Sequence, residues 1–392
     1  MSQEKSPDFD VLIVGGGLAG LSLAVGLRDA RLKVALVEAQ PPRRPTEGWD
    51  ARIYAVSPAN ARFLRQLGVW DRLDLTRVAP VERMAVAGDA GGQLDFSAYE
   101  AGVPELAWIA ESSLIADELW QTALRQANLT LYSPARPAAV RWNEQAAHLT
   151  LDDGRALSAR LLVAADGRDS WLRGQAGLPA HTTPYNEVGV VANFDISRPH
   201  LGVAHQWFRD DGVLAYLPLP GDRMSIVWST PDAHAKELLA LEPAAFCDTV
   251  AAAGGRVLGE LSLITPPVGF PLRLIRVPRT VAPRLALLGD AAHGIHPLSG
   301  HGINLGFQDA RALAELLSGA SPWQDVGDER FLARYQRARK EEVVMLQTVT
   351  DGLRRLFREP MPLLRAVRNA GMSLTNRLGP VKSSLIRYAL ET

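Results

Sequence analysis

The chain has 392 residues, enough to bury one large core or two smaller ones. Its 22% charged and 47% hydrophobic residues are the balance of a globular protein in water. A formal net charge of -1 supplies no field to attract nucleic acid, the single Cys247 excludes an intrachain disulfide and a cysteine metal cluster, and no apolar run is long enough to span a bilayer.

Residues 1–8 are polar and lead directly into the first predicted strand, without the layout of a signal peptide. Together with the lone cysteine this gives a cytoplasmic expectation. Asp10 to Val14 is a short β-branched run. Gly15, Gly17 and Gly20 follow in G-x-G-x-x-G spacing, Leu18 to Leu27 reads as an apolar helix, and Val34 to Val37 is the next strand, ending at Glu38. This is a complete βαβ unit. Gly15 permits a tight turn, Gly17 lets backbone approach a pyrophosphate at the helix N-terminus, and Gly20 lets helix pack on strand. Glu38 lies about 20 residues on, where a ribose-binding acid belongs. It can accept both ribose hydroxyl protons and would repel a 2′-phosphate. With strand, helix and acid in register, a ligand-free glycine turn is the weaker reading.

A proline-rich linker, Pro41 to Pro45, precedes the segment Asp50 to Ser57 and a helix from Pro58 to Leu67. Arg52 in that segment is either a solvated surface residue or a phosphate or flavin contact. Met84 to Phe96 predicts two strands joined by a turn at Gly88–Gly92, and Ser112 to Ala127 predicts a helix. Leu149 to Leu151, the Asp152–Gly154 turn and Leu157 form a hairpin that leads into a strand from Arg160 to Ala165. That strand runs into Asp166, Gly167 and on to Arg173, again placing acid and backbone amides at a sheet's C-terminal edge.

From Val188 to Thr230 the pattern becomes antiparallel, with strands at Val188–Ile196, His205–Phe208, Val213–Leu219 and Met224–Ser229. It reads as a second domain inserted between cofactor segments, and Trp207, Tyr216 and Trp228 read as core rather than as a substrate box. Leu238 to Ala252 is one predicted helix, and Ile264 to Ile275 returns the chain to the first domain.

Leu285 to Leu288 looks like a buried parallel strand with Gly289 and Asp290 at its end. A turn rich in Gly, Pro and His follows, then a helix from near Gly302, with Asp309, Arg311 and Glu315 on its polar side. Strand, acidic turn and glycine-lined helix start mark where an open α/β sheet places a phosphate-bearing ligand or an electron-poor ring. His293 and His296 lie in the turn without carboxylate partners in register, so no metal-ligand spacing is convincing. Beyond Pro322 the chain is helical: Phe331 to Leu356, Leu363 to Met372 and Val381 to Leu390. Arg354, Arg355, Arg358, Arg365, Arg368, Arg377, Lys382 and Arg387 are either a solvated basic face or a contact for an anionic membrane or an acidic partner.

Three segments now stand together: GGGLAG at Gly15–Gly20 with Glu38, DGRDSWLR at Asp166–Arg173, and GDAAHGIHPLSGHGINLGFQD at Gly289–Asp309. Together they resemble the single-component FAD-dependent aromatic hydroxylases, the class A flavoprotein monooxygenases with the p-hydroxybenzoate hydroxylase fold. Within that group the chain is most similar to the ubiquinone-biosynthesis hydroxylases, nearly end to end. The similarity includes the DARIYAVSP segment and the C-terminal RNAGM and VKSSLIRYAL segments.

The resemblance implies an α/β fold with three parts. A Rossmann-like FAD-binding domain takes residues 1–80, 105–180 and 276–320. An interleaved antiparallel-sheet substrate domain takes 81–104 and 181–275, and a C-terminal helical segment takes 321–392. It implies FAD as cofactor and NAD(P)H as cosubstrate, and no metal. Gly15, Gly17 and Gly20 would hold the pyrophosphate region, Glu38 the adenosine ribose, and Arg52 would lie along the flavin. Asp166 and Gly167 would serve both FAD and the nicotinamide cosubstrate, and Asp290 the ribityl or pyrophosphate part. Pro297 would face the isoalloxazine ring, and backbone from Gly300 through Gly302 and Ile303 to Asn304 would reach its pyrimidine edge. A helix N-terminus there would stabilise the negative charge of reduced flavin by ~0.3–2 kcal/mol.

The implied reaction reduces FAD with NAD(P)H, traps O2 as a C4a-hydroperoxide, and passes the distal oxygen to an electron-rich ring. The implied substrate is a polyprenylated phenol or quinol of ubiquinone biosynthesis, with other quinone-biosynthesis proteins and a membrane surface as further partners. Two readings stay open beside it: an FAD monooxygenase of a small soluble aromatic, and a catalytically idle flavin-binding scaffold. The chain has Ser299, Gly300 and His301 where the subgroup has alanine, glycine and glutamine. His301 is the one catalytic candidate, either a neutral stand-in for the amide or a cation beside reduced flavin that makes turnover pH-sensitive. No acid or base is assignable.

Overall fold

The computed structural model describes residues 6–296, 302–359 and 361–391. Strand Phe9–Val14 lies in the middle of the first sheet, paired in parallel with Val34–Val37 on one side and Ala156–Ala164 on the other. Leu129–Tyr132 and Leu285–Leu287 extend the parallel set outward. Among the described residues the antiparallel strands Pro137–Trp142, Ala147–Leu151 and Val281–Ala282 bring this sheet to eight strands. Val11, Leu12 and Ile13 are fully buried because both faces of the sheet are covered, the burial that a continuous apolar run predicts. Helices Leu18–Gly26, Ser112–Leu124 and Gly302–Ser318 pack on one face, and a cluster including Leu149, Leu151 and Leu172 covers the other. Parallel pairing has one decisive consequence: the chain leaves Val14, Ala164 and Leu287 at the same edge of the sheet.

The second sheet has nine strands among the described residues. The long strand His181–Ile196 pairs with Arg223–Pro231 and Val268–Arg276, and Gly212–Leu219 and Val203–Arg209 continue the order. The hairpin Arg83–Ala87 and Gln93–Ser97 joins through a parallel pair with Val203–Arg209. Its residues alternate with period two. Val190, Leu214, Tyr216, Ile226 and Trp228 face a core under helices Asp232–Leu239 and Pro243–Ala253, while Val191, Ala204, Gln206, Ala215, Val227 and Ser229 face a cavity. The aromatics Tyr216 and Trp228 are thus core, with Trp207 packed against it. A third sheet among the described residues orders Ile53–Val56, Ala107–Glu111 and Ala79–Val81.

Two local expectations change. The single helix over 238–252 is two, because Ala240 closes the first and Pro243, which has no N–H to continue a ladder, starts the second. The segment expected to return at 264–275 pairs with His181–Ile196 as Val268–Arg276, so it belongs to the second sheet, and the chain goes back to the first only at Val281–Ala282. The C-terminal helices are Glu329–Arg358, Pro362–Arg377 and Gly379–Glu391. Their basic residues are not simply a solvated face. Arg354 and Arg358 pair with Glu187, Arg365 and Arg368 with Asp89, and Lys382 with Glu100, whereas Arg355 pairs with Asp351 on its own helix. Among the described residues no helix is long and apolar enough to cross a membrane.

Candidate active site

The first sheet's carboxyl edge and the cavity face of the second sheet enclose one space of about 1040 Å³, near the top of the range for ligand pockets. Gly17, Glu38, Arg52, Gly167, Asp290, Gly302, Ile303 and Asn304 all line it. These residues come from separate parts of the sequence, and parallel pairing brings them together.

At the first turn, Gly15 has a φ of +109°, and a Cβ there would lie 2.2 Å from the Ala165 carbonyl oxygen. A Cβ on Gly20 would lie 2.0 Å from the Gly15 carbonyl oxygen. Neither residue lines the cavity; both let the turn close on its neighbours. Gly17 faces open space, and the helix it starts has no side-chain cap and no acidic residue in its first turn. Uncapped amides facing a void form an anion cradle. The Glu38 carboxylate accepts the Gly16 amide on one oxygen and the Gln40 amide on the other, at 2.9 Å, which fixes its direction at the cavity wall.

The second turn differs from its expectation in one respect. Asp166 is set behind the lining, and its carboxylate accepts the Ser170 hydroxyl (2.5 Å) and the Leu172 amide (3.0 Å), capping the helix Trp171–Gln175. Gly167, at φ +82°, is the residue of this pair that borders the cavity. Arg173, which has no role in the sequence reading, is buried and joins the two acid turns: it donates to the Ala291 carbonyl (2.8 Å) and the Arg168 carbonyl (3.0 Å). Arg168 in turn approaches Asp290 at 3.6 Å. Arg52 is exposed, yet its guanidinium stands 5.1 Å from the Phe270 ring centroid at the cavity edge. Burial pushes the phenol of the lining residue Tyr54 above its usual range.

The third turn brings the largest corrections. Asp309 is not on a solvent-facing polar side; it is 1% exposed. It accepts the Gly289 amide (3.0 Å) and the Arg339 Nε–H (2.7 Å), and His293 Nε2 lies 2.6 Å from it. Burial alone would raise the Asp309 carboxyl, but His293 and Arg339 outweigh it and hold the carboxyl low. Burial opposes charge on His293 as well, and Asp309 outweighs it, so the imidazole is held above its ordinary value. His296 also has a carboxylate: its Nε2 is 2.9 Å from Glu187, which Arg354 and Arg358 also contact. Both histidines are therefore paired to acids far away in sequence. Among the described residues no group of His, Cys, Asp and Glu could hold a metal ion.

Asn304 contributes in two ways. Its side chain donates to the Ala55 carbonyl (2.9 Å) and accepts from the Ser57 amide (3.0 Å), which ties the helix Gly302–Ser318 to the DARIYAVSP segment. Its backbone, with Gly302 and Ile303, lines the cavity. No acidic residue sits in that helix's first turn, so its positive end is uncompensated. Pro297, Gly300 and His301 lie outside the described residues. On the far wall the second sheet turns the neutral polar side chains Gln206 and Ser229 toward the cavity among Val191, Ala204, Ala215 and Val227, and Arg273 of Val268–Arg276 lines it as well. Sequence reasoning missed them, although the strand alternation carried the signal.

Residues 8–349 match the model of the FAD binding domain family. The chain is 34% identical to a ubiquinone hydroxylase, UbiL, of Rhodospirillum rubrum, covering 98% of this chain and 90% of that one. It is 32% identical to the 3-demethoxyubiquinol 3-hydroxylase of Escherichia coli, covering 97% and 98%. Among solved structures, the p-nitrophenol 4-monooxygenase PnpA of Pseudomonas putida superposes with a TM-score of 0.80 at 18% identity over 99% of both chains, a likeness of fold. By sequence, this chain belongs to the FAD-binding monooxygenase family that contains the ubiquinone-biosynthesis hydroxylases.

Proposed function

We propose that this protein hydroxylates the aromatic ring of a polyprenylated phenol or quinol in ubiquinone biosynthesis, taking NAD(P)H and O2 as cosubstrates. One oxygen atom enters a ring C–H bond as C–OH; the other leaves as water, with two electrons from NAD(P)H. FAD, when bound, supplies the hydride acceptor and the oxygen activation. The observation that carries the reading is the single cavity shared by an anion-cradling sheet edge and an apolar sheet face.

The residues fit FAD. In this reading the Gly15–Gly20 turn and its uncapped helix take the pyrophosphate region, and Glu38 takes the adenosine ribose. Arg52, Asp166, Gly167 and Asp290 serve the middle of the cofactor, with Asp166 acting through the cap it forms. Gly302, Ile303 and Asn304 present the positive end of a helix to the charge that reduction puts on the ring. Residues 1–80, 105–180 and 276–320 would form the cofactor unit and 81–104 with 181–275 the substrate unit. Gln206 and Ser229 are the groups available to orient a ring hydroxyl, while Val191, Ala215 and Val227 keep water from the reacting face. No strong base is needed where the ring hydroxyl itself donates electrons, and water can take the proton that the attacked carbon loses.

The apolar wall favours a prenylated ring over a small soluble one. Peripheral membrane contact fits Leu363, Val367 and Leu374, which stand exposed along one face of the helix Pro362–Arg377. The test is quinone-intermediate profiling by mass spectrometry in a strain that lacks the gene. Accumulation of a ring precursor one hydroxyl short is expected, and a normal quinone pool would eliminate the reading.

A further inference from the structure

The helix Gly379–Glu391 is anchored to both halves of the molecule. It lies across the gap between the two sheets. The Glu391 carbonyl at one end accepts from Gln308 of the helix Gly302–Ser318 at 3.4 Å. Near the other end Lys382 pairs at 2.6 Å with Glu100, in the short helix Ala98–Ala101 that follows the second-sheet hairpin. Between those anchors Leu385, Ile386 and Leu390 line the same cavity as Met84 and Phe96 of the hairpin.

The preceding helix fixes this geometry. Asn369 accepts the Gly92 amide (2.9 Å) and the Ala90 amide (3.2 Å) and donates to Asp89 (2.8 Å), all at the hairpin tip. Arg368, 6% exposed, pairs with the same Asp89 and donates to the Leu356 and Glu359 carbonyls. The RNAGM segment therefore docks the C-terminal helices onto the hairpin that walls the cavity. At this end Met84, Phe96, Leu385, Ile386 and Leu390 offer no strong hydrogen-bonding side chain, so a polar ring gains nothing by binding there. Ile386 and Leu390 are buried, whereas Leu385 lines the cavity while 46% exposed, which puts it at an opening to solvent.

We infer that the helix Gly379–Glu391 and the hairpin Arg83–Ser97 form a slot for an isoprenoid chain, with Leu385 at its mouth. The aromatic ring is held at the cofactor end, and the chain leaves between Leu385 and Phe96. This rests on the prenylated-substrate reading above and adds where the chain lies.

The test measures kcat/KM of FAD-loaded enzyme for ring substrates with zero to four isoprene units, in one fixed detergent. In the unaltered protein kcat/KM rises on the order of tenfold for each unit that enters the slot and then levels off. Leu385→Glu places a charge at the mouth and cuts the gain per unit to about twofold or less. Leu385→Trp narrows the opening and lowers the plateau. Leu124→Glu, exposed on a different helix, keeps the full gain. Because Leu385 is half exposed the chain tolerates both changes, and flavin absorbance checks loading. A full gain persisting in both Leu385 variants overturns the slot. No gain in the unaltered protein overturns the prenylated-substrate reading, and the slot goes with it.

Discussion

Asp309→Ala separates the fold described here from the one that the helix pattern alone suggests. On a solvent-facing side the substitution would change stability by no more than about 0.5 kcal/mol. Inside the protein it removes the acceptor for three buried donors: the Gly289 amide, His293 and the Arg339 Nε–H. Arg339 keeps Glu342 and Gln308 as partners, so its guanidinium is not abandoned, but one N–H, one imidazole and one turn amide lose theirs. Removing one partner of such a buried pair costs about 3–5 kcal/mol, a large share of the 5–15 kcal/mol typical of a domain. Because Asp309 also sets the Gly289 turn that carries Asp290, FAD affinity should fall by roughly tenfold or more. Urea unfolding followed by circular dichroism reads the first effect as a lower midpoint at unchanged slope, and flavin fluorescence reads the second. A loss under ~1 kcal/mol with unaltered FAD binding would refute the role assigned to this carboxylate.

The same cluster predicts a pH signature. His293 is held above its ordinary 6.5 in the folded chain, burial opposing its charge and Asp309 outweighing burial. A raised folded-state pKa contributes stability that is complete below the unfolded value and is lost as pH rises through the folded one. Melting temperature should therefore drop as pH climbs beyond that ordinary value, and His293→Gln should flatten this limb; parallel curves would count against the pairing. Gly20→Val forces a side chain onto the Gly15 carbonyl, so the purified variant should lose FAD on gel filtration, and stoichiometric retention would contradict the close approach.

The parts of this molecule written locally in the chain were the legible ones. The Gly15–Gly20 turn with Glu38, the strand before Gly289 and the alternation from Val188 to Thr230 each need only a few neighbours to declare themselves. The same alternation put Tyr216 and Trp228 in the core and hid the cavity-facing Gln206 in plain view. What escaped is set by distant pairing. His293 and His296 find carboxylates 16 and 109 positions away, and helical periodicity cannot tell a polar side facing water from one facing a buried ion cluster. The C-terminal arginines stayed ambiguous for the same reason: the acids that hold Arg354, Arg358, Arg365 and Arg368 are Glu187 on the second sheet and Asp89 at the tip of its hairpin. Arg173 bridges two turns that only parallel pairing brings side by side.

The convergence of these turns is best tested by titrating apoprotein with FAD, alongside Glu38→Ala and Asp290→Ala. The account predicts one FAD per chain, and roughly tenfold or greater weakening of that same single site by either substitution, although the two acids lie far apart in the sequence. A chain that stays colourless with excess FAD, or an affinity indifferent to one of the two acids, would contradict it.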